Sequence, residues 1–271
     1  MARTPGESYI YDQQWEQERA RLAGLAAIFD ATTIRHLTAA GVAEGRHCWE
    51  VGAGTGSIAS WLASAVGPGG RVLATDLDTT FLQGLDTAPV EVRRHDVTVD
   101  PIEERAFDLV HVRAVVMHVT DRAQVVKRLA RALRPGGVLV IEDAVFGGPS
   151  THLWERVTSP PAASGPLNRV MDAVAGGFRA IGADPEYGYD LPADVWAAGL
   201  TDVEAEVTHR LLHGGSPESA FYELSLRQLG GRLIEAGLLT QDDAEAVTAV
   251  ATDPGAHWLS VGLVSVTGRT P

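Results

Sequence analysis

The chain has 271 residues, of which 45% are hydrophobic, and its formal net charge is −13. A chain of this length can bury the core of one large domain, and its acidic balance argues against nucleic acid and anionic membrane surfaces as partners. No apolar run is long enough to span a bilayer, and the first residues show no apolar segment typical of a secretory signal. The single cysteine, Cys48, excludes an internal disulfide and a cysteine-rich metal site. We therefore expect a cytoplasmic protein without a metal centre, either a monomer or a homodimer, whose partner is a small molecule.

The first part of the chain is expected to be helical. One helix is predicted from about residue 12 to residue 28, and a shorter one over 31–43. Three aromatic residues, Tyr9, Tyr11 and Trp15, cluster where the first helix starts. They could anchor the helix on a sheet or form a lid over a ligand, and the pattern does not decide between these roles.

A glycine-rich turn follows the first predicted strand. Residues 47–56, HCWEVGAGTG, indicate a short buried strand that turns through glycines into a helix over 57–65. Such a turn presents backbone N–H groups and a helix N-terminus to one open spot, and glycine lets a ligand approach closely. The order departs from the dinucleotide fingerprint G-x-G-x-x-G, because Ser57 stands at its last glycine. A carboxylate just before the turn, at Glu50, would repel a pyrophosphate but suits a ligand with an ammonium group. We therefore favour a ligand site over a purely structural turn.

An acidic residue ends the second predicted strand. RVLATD, residues 71–76, finishes at Asp76, twenty residues after Gly56. At this distance an acid at the tip of a second strand reaches the hydroxyls of a ribose. A ribose contact is therefore preferred to a solvated loop acid.

The rest of the chain alternates strands with helices and then changes character. Strands are predicted at 90–97, 107–113 and 137–143, with an amphipathic helix over 121–133. This alternation implies a parallel sheet with crossover connections. After residue 143, two further strands are predicted at 201–212 and 257–267. Two helical segments are predicted at 147–199 and 216–253. The helical segments are long for connections, so we expect them to build a lid or a substrate pocket.

The stretch from His47 to about Asp143 resembles the class I S-adenosylmethionine-dependent methyltransferases. The run E-x-G-x-G-x-G is similar to the first motif of that family, and L-R-P-G-G before the strand at 137–143 is typical of it. The resemblance implies an α/β fold with a doubly wound, seven-stranded, mostly parallel Rossmann-like sheet and helical lid insertions. It divides the chain into three parts. Residues 1–145 are the N-terminal cofactor-binding half, and residues 146–200 are a helical insertion expected to cover the substrate. Residues 201–271 are a terminal strand pair that completes the sheet, with an insertion at 216–253.

The resemblance also implies S-adenosylmethionine as the cofactor and assigns residues to it. Asp96 would accept a hydrogen bond from the adenine amino group and Val97 would pack on the ring, unless Asp96 merely starts a turn. Arg113 lies where the backbone of the family flanks the methionine part. The expected cofactor-binding residues are Glu50, Gly52, Gly54, Gly56, Asp76, Leu77, Asp96, Val97 and Arg113.

One histidine is a candidate catalytic residue. Methyl transfer from a sulfonium is an in-line displacement, so the protein mainly has to align the reactants and exclude water. A base is needed only where the acceptor keeps its proton. His118 lies just beyond the fourth predicted strand, and histidine titrates near neutral pH. The alternative is a structural histidine that packs a loop under the cofactor.

These patterns predict a methyltransferase that acts on a small, largely apolar, aromatic molecule, similar to the bacterial methyltransferases of secondary metabolism. An indole or a phenol would suit the aromatic residues expected to bind substrate, which are Tyr9, Tyr11, Trp15 and Trp154. A nicotinamide-dependent oxidoreductase is the alternative that Ser57 and Glu50 disfavour. A non-catalytic ligand-binding module on the same fold is the other alternative.

Overall fold

One sheet of seven strands is the centre of the molecule, which a computed structural model describes over residues 10–12, 14–147 and 151–271. Its strands and those of a small second sheet are β1 (His47–Val51), β2 (Arg71–Asp76), β3 (Val90–Arg94), β4 (Phe107–Arg113), β5 (Leu133–Val145), β6 (Thr201–Thr208), β7 (Leu211–His213), β8 (His257–Leu259) and β9 (Gly262–Arg269). The order across the large sheet is β3-β2-β1-β4-β5-β9-β6, and β9 runs antiparallel to both of its neighbours. The predicted seven-stranded, mostly parallel Rossmann-like sheet is confirmed.

Helices cover both faces of this sheet. They are α1 (Glu18–Ala39), α2 (Ser57–Val66), α3 (Arg122–Ala132), α4 (Thr151–Val157), α5 (Ser164–Ala180), α6 (Leu191–Ala197), α7 (Ala220–Glu235) and α8 (Gln241–Thr252). On one face, Leu37 of α1 and Leu62 of α2 pack with Cys48 of β1. On the other face, Val126 of α3 lies in the same apolar cluster as Trp49 of β1. Because both faces are covered, the central strands are nearly continuous apolar runs.

The N-terminal helix is longer than the sequence pattern predicts. α1 is continuous over Glu18–Ala39, where two helices were expected. The expected break falls at Phe29 and Asp30, but Phe29 is buried and Asp30 forms an ion pair with Arg113 of β4 at 2.7 Å. Thr33 Oγ1 donates to Glu142 Oε2 of β5 at 2.5 Å. A polar residue on the buried side of α1 therefore has a partner that lies more than a hundred residues away.

Three helices form a cap beyond the carboxyl ends of the parallel strands. α8 packs on both α5 and α7, and α7 packs on α1. α6 does not join this cap, since it packs on α3, β6 and β9. The segment 146–200, expected to be one lid insertion, is thus divided between the cap and the helical layer of the sheet. None of the helices in the described residues is both long and apolar enough to cross a bilayer.

The predicted strands at 201–212 and 257–267 are each split in two. β7 and β8 leave the large sheet and pair with each other. At the break, Ser260 N–H donates to the carbonyl of Arg210 at 2.8 Å, and Val261 N–H donates to the hydroxyl of Tyr222 at 2.7 Å. These bonds replace the ladder bonds that a continuous strand would have made.

The large sheet ends in an exposed strand. β6 pairs with β9 on one side, and most of its residues are exposed. Asp202, Glu204 and Glu206 are among the exposed residues. Glu206 forms an ion pair with Arg35 of α1 at 2.6 Å.

A glycine sets the closest approach of α1 to the cap. A Cβ atom on Gly24 would lie 2.8 Å from the backbone nitrogen of Phe221 in α7. We expect Gly24→Ala to lower the free energy of unfolding by about 1–3 kcal/mol, because overpacking exceeds the gain in helix propensity of about 1 kcal/mol. Urea denaturation of the variant and the parent measures the difference.

Gly231 in α7 is the matched control. A Cβ there meets no heavy atom within 4 Å in the described part of the chain. Gly231→Ala should therefore raise the stability by up to about 1 kcal/mol. Equal stability of the two alanine variants would contradict the tight α1–α7 contact.

Candidate active site

A cavity of about 530 Å³ lies between the carboxyl ends of the parallel strands and the cap. Loops after β1, β2 and β3 line one half of it, and α1, α5 and α7 line the other. The loop half is rich in polar groups, whereas the helical half is mainly apolar. The carboxyl ends of parallel strands are where ligands bind in open α/β sheets.

The glycine turn after β1 leaves room for a ligand at one position. Gly52, Gly54 and Gly56 all have positive φ angles, of 69°, 55° and 81°. A Cβ on Gly52 or Gly56 would lie 2.2 Å from the side chain of Val115 or Leu85, so these two glycines permit close packing. A Cβ on Gly54 would meet nothing within 4 Å among the described residues. Gly54 is therefore the glycine that faces open space in the cavity.

Asp76 joins the tip of β2 to the glycine turn. Its Oδ2 accepts a hydrogen bond from Gly54 N–H at 2.9 Å, and its Oδ1 accepts one from Asp78 N–H at 3.1 Å. Burial raises the pKa of the Asp76 carboxyl, although these backbone bonds counteract the effect. Each carboxylate oxygen has a second lone pair, so Asp76 can still accept hydrogen bonds from a diol. Leu77 lines the cavity beside it and is 37% exposed.

Asp96 and Val97 line the far end of the polar half. Asp96 Oδ1 accepts from Thr98 N–H at 2.9 Å, as an acid that starts a turn does. Val97 is buried and presents an apolar surface next to this carboxylate. Asp96 can therefore both start the turn and accept a hydrogen bond from a ligand, since the bond within the turn leaves further acceptor capacity on the carboxylate.

Glu50 belongs to a buried hydrogen-bonded chain that sequence reasoning missed. Its Oε2 lies 2.5 Å from Nδ1 of His111, which is fully buried on the neighbouring strand β4. The other ring nitrogen, Nε2, lies 3.3 Å from Glu142 Oε2 on β5. Burial alone would lower the pKa of His111, but the charges and hydrogen bonds of Glu50 and Glu142 outweigh it and raise the pKa to about 9. The signal in the sequence was a histidine inside the apolar strand FDLVHVR, since a buried histidine needs partners.

The side chain of Arg113 is turned towards α1. It donates to Asp30 Oδ1 at 2.7 Å and to Thr33 Oγ1 at 2.8 Å. The next residue, Ala114, has a φ of 55°, which is unusual for a residue with a Cβ. Both residues line the cavity, so Arg113 fixes the end of β4 while the backbone beside it stays open to a ligand.

His118 lies in the cavity wall at the junction of the two halves. It ends a short helical turn, Val116–His118, and its ring centroid is 5.3 Å from that of Phe178 in α5. Burial, together with the nearby charges of Arg21 and Arg122, lowers the pKa of His118 to about 3. The imidazole is therefore neutral at physiological pH, which lets it accept a hydrogen bond but makes it a weak base.

Of the aromatic residues expected to bind substrate, Tyr11 lines the cavity. Its ring lies 3.7 Å from the guanidinium carbon of Arg21, a residue that forms a buried ion pair with Glu18. Trp15 and Trp154 are not part of the cavity lining, and Trp154 is buried in the core. Tyr9 lies outside the described residues.

The apolar wall comes largely from helices in the two segments that the sequence analysis expects to build a lid or a substrate pocket. It includes one face of α5 and part of α7, namely Val170, Met171, Val174, Phe178, Phe221 and Leu226. The apolar stripes of these helices were visible in the sequence. Which stripe faces a cavity and which faces the core depends on the packing of the cap.

The buried histidine makes the stability of the protein dependent on pH. A pKa raised from 6.5 to about 9 means that His111 stabilises the fold fully below pH 6.5 and that this contribution is lost as the pH rises through about 9. We expect the free energy of unfolding to fall by roughly 1–3 kcal/mol between pH 6.5 and pH 9.5. Denaturant titrations at several pH values measure this, and His111→Gln should flatten the dependence. An equal slope in parent and variant would contradict the assignment.

Comparison with known proteins finds a family match for part of the chain. Residues 49–141 match a protein family described as a methyltransferase domain. Methyltransferase str2 of Strobilurus tenacellus is 28% identical over 191 residues, which cover 69% of this chain and 64% of that relative. This chain therefore spans less than two thirds of the length of that relative.

Solved structures show the same fold. The YcgJ protein of Bacillus subtilis has a TM-score of 0.55 at 12% identity, over 89% of this chain and 98% of its own. Phosphoethanolamine N-methyltransferase 2 of Haemonchus contortus, in complex with S-adenosyl-L-methionine, has a TM-score of 0.54 at 18% identity, over 97% of this chain and 54% of its own. Residues 49–141, which contain the glycine turn, therefore form a methyltransferase domain similar to those of the class I S-adenosylmethionine-dependent methyltransferases.

Proposed function

We propose that the protein transfers a methyl group from S-adenosylmethionine to a small, uncharged, largely apolar acceptor. The observation that carries this proposal is the division of the cavity into a polar half at the strand ends and an apolar half under the cap. The polar half suits a nucleoside with an amino-acid tail. The apolar half adjoins it without an intervening wall, so an acceptor bound there lies next to the tail.

The polar half has a group for each part of the cofactor. Asp76 would accept from the ribose hydroxyls, Asp96 would accept from the adenine amine and Val97 would pack on the ring. Glu50 would pair with the ammonium group, and the open space at Gly54 admits the ligand to the backbone. S-adenosylmethionine supplies a methyl group on a sulfonium, whose neutral thioether product is a good leaving group.

The charges around the apolar half favour a neutral acceptor. Two arginines, Arg21 and Arg113, line the cavity near α1. Each forms an ion pair with an acid of α1, Glu18 at 2.7 Å and Asp30 at 2.7 Å. A carboxylate or phosphate on the acceptor would have to compete with these acids. An uncharged aromatic molecule, such as a phenol or an indole, instead suits a wall that includes Phe178.

We propose that His118 contacts the reacting group of the acceptor. Its neutral imidazole can accept a hydrogen bond from a hydroxyl or an indole N–H and take the proton as the bond to the methyl group forms. Its low pKa makes it a weak base, so orientation of the acceptor accounts for much of its contribution. Tyr11, across the same cavity, would pack on the acceptor.

The glycine turn provides a direct test of cofactor binding. Gly54→Val should abolish binding of S-adenosylhomocysteine in titration calorimetry, a loss of at least about a hundredfold, because the side chain fills open space in the cavity and is strained at positive φ. Gly41→Val is the matched control, since Gly41 also has a positive φ and no neighbour within 4 Å in the described part of the chain, but does not line the cavity. Binding of NAD by the parent without a response to S-adenosylhomocysteine would refute the proposed function.

The role of His118 is tested on an acceptor found by screening phenols and indoles with labelled cofactor. His118→Ala should lower kcat by about a hundredfold while cofactor affinity stays unchanged. Because the pKa is lowered to about 3, the parent should show no loss of kcat from this residue between pH 8 and pH 5. Full activity of His118→Asn would assign a positioning role alone. Loss of cofactor binding in both variants would mean that His118 only supports the wall.

A further inference from the structure

We propose that His111 is a positioning residue for the cofactor, which acts by holding the carboxylate of Glu50 turned towards the ammonium group of the ligand. The inference rests on the proposed function and deepens it, because it concerns how the cofactor's amino-acid end is selected. His111 itself does not line the cavity and acts through Glu50.

The sheet register places the two side chains side by side. Glu50 and His111 are directly opposite each other on the parallel strands β1 and β4. His111 Nδ1 is 2.5 Å from Glu50 Oε2, so this oxygen is hydrogen-bonded to the imidazole. Glu50 lines the cavity, and its Oε1 accepts no hydrogen bond within the described part of the chain. One oxygen is thus held while the other remains available to a ligand.

The far side of the ring is equally constrained. His111 Nε2 faces Glu142 Oε2, and Glu142 also accepts from Thr33 Oγ1 and, at 2.6 Å, from Ser265 Oγ. Carboxylates can only accept hydrogen bonds when ionised. Both ring nitrogens face carboxylate oxygens, and the pKa of His111 is raised to about 9, so His111 is an imidazolium at neutral pH.

Without a ligand, the buried group formed by Glu50, His111 and Glu142 is not electrically neutral. Two carboxylates, Glu50 and Glu142, flank one imidazolium, so the three residues carry one excess negative charge. Arg113 of β4, which also acts on Glu142, is paired with Asp30 of α1. Burial raises the pKa of the neighbouring Asp143 carboxyl well above its usual value, which favours its neutral form. Uncompensated buried charge is costly. A ligand ammonium beside Glu50 would bring the sum to zero, whereas a ligand without a cation would not.

Loss of the imidazolium would leave Glu50 without the partner that orients it. Glu142 keeps its hydrogen bonds from Thr33 and Ser265. The Oε2 atom of Glu50 has its hydrogen bond from His111 instead. Glu50 is therefore the residue whose carboxylate would turn away from the ligand ammonium.

Binding of two ligands to His111→Gln tests this. S-adenosylhomocysteine has the amino-acid end, and 5′-methylthioadenosine lacks it but keeps the nucleoside. We expect titration calorimetry to show a ten- to hundredfold loss of affinity for S-adenosylhomocysteine and a change of less than twofold for 5′-methylthioadenosine. Glu50→Gln should reproduce this selectivity, and the double variant should be no weaker than Glu50→Gln alone. His209→Gln, which alters a histidine bonded to the carbonyl of Ser260 outside the cavity lining, should change neither affinity.

Other outcomes separate the two proposals. Equal losses of affinity for both ligands would show that His111 only supports the cavity wall. Unchanged affinity for S-adenosylhomocysteine would show that Glu50 does not depend on His111 for its orientation. If the parent binds neither ligand, the proposed function itself fails. Should His111→Gln not fold, Glu142→Gln removes the excess negative charge while keeping His111. It should weaken S-adenosylhomocysteine alone, and an equal effect on both ligands would overturn the inference.

Discussion

Both faces of the parallel sheet are covered by helices, and this constraint decides where polar chemistry can occur. Apolar clusters cover the strands on either side, so buried polar side chains of the sheet need partners on neighbouring strands or on the helices packed against them. Only the ends of the strands open to a cavity. At the carboxyl ends, the N–H groups and carboxylates of the loops face the cavity instead of the core. The cap covers the cavity on its other side.

The N-terminal helix α1 connects the two halves of the cavity. Its first turns supply Arg21 and part of the apolar wall, while Asp30 and Thr33 hold the end of β4 and the carboxylate of Glu142. One helix thus carries the acids that neutralise Arg21 and Arg113, two of the arginines that line the cavity. Movement of α1 would disturb the acceptor side and the buried chain under the cofactor side together.

Features of the site that depend on neighbouring positions in the sequence could be predicted from it. The turn glycines and Asp76 follow strand ends within a few residues, and the structure brings them together as the family resemblance implied. The role of His111 could not be predicted, because its partners come from strands that are adjacent only after folding. The continuity of α1 was missed for the same reason, since Asp30, at the expected break, has its partner Arg113 on β4. The aromatic residues were the least predictable: Trp154 and Tyr11 look alike in sequence, but the packing of the cap buries the first and leaves the second in the cavity.

The acidic edge strand β6 has a consequence for association. An exposed edge offers unpaired backbone groups to any strand of another molecule. Here that edge presents Asp202, Glu204 and Glu206, of which Glu206 is paired with Arg35. Two copies that met edge to edge would bring these carboxylates face to face, in a chain whose net charge is already −13. Repulsion between these carboxylates therefore disfavours the pairing of two copies through their β6 strands.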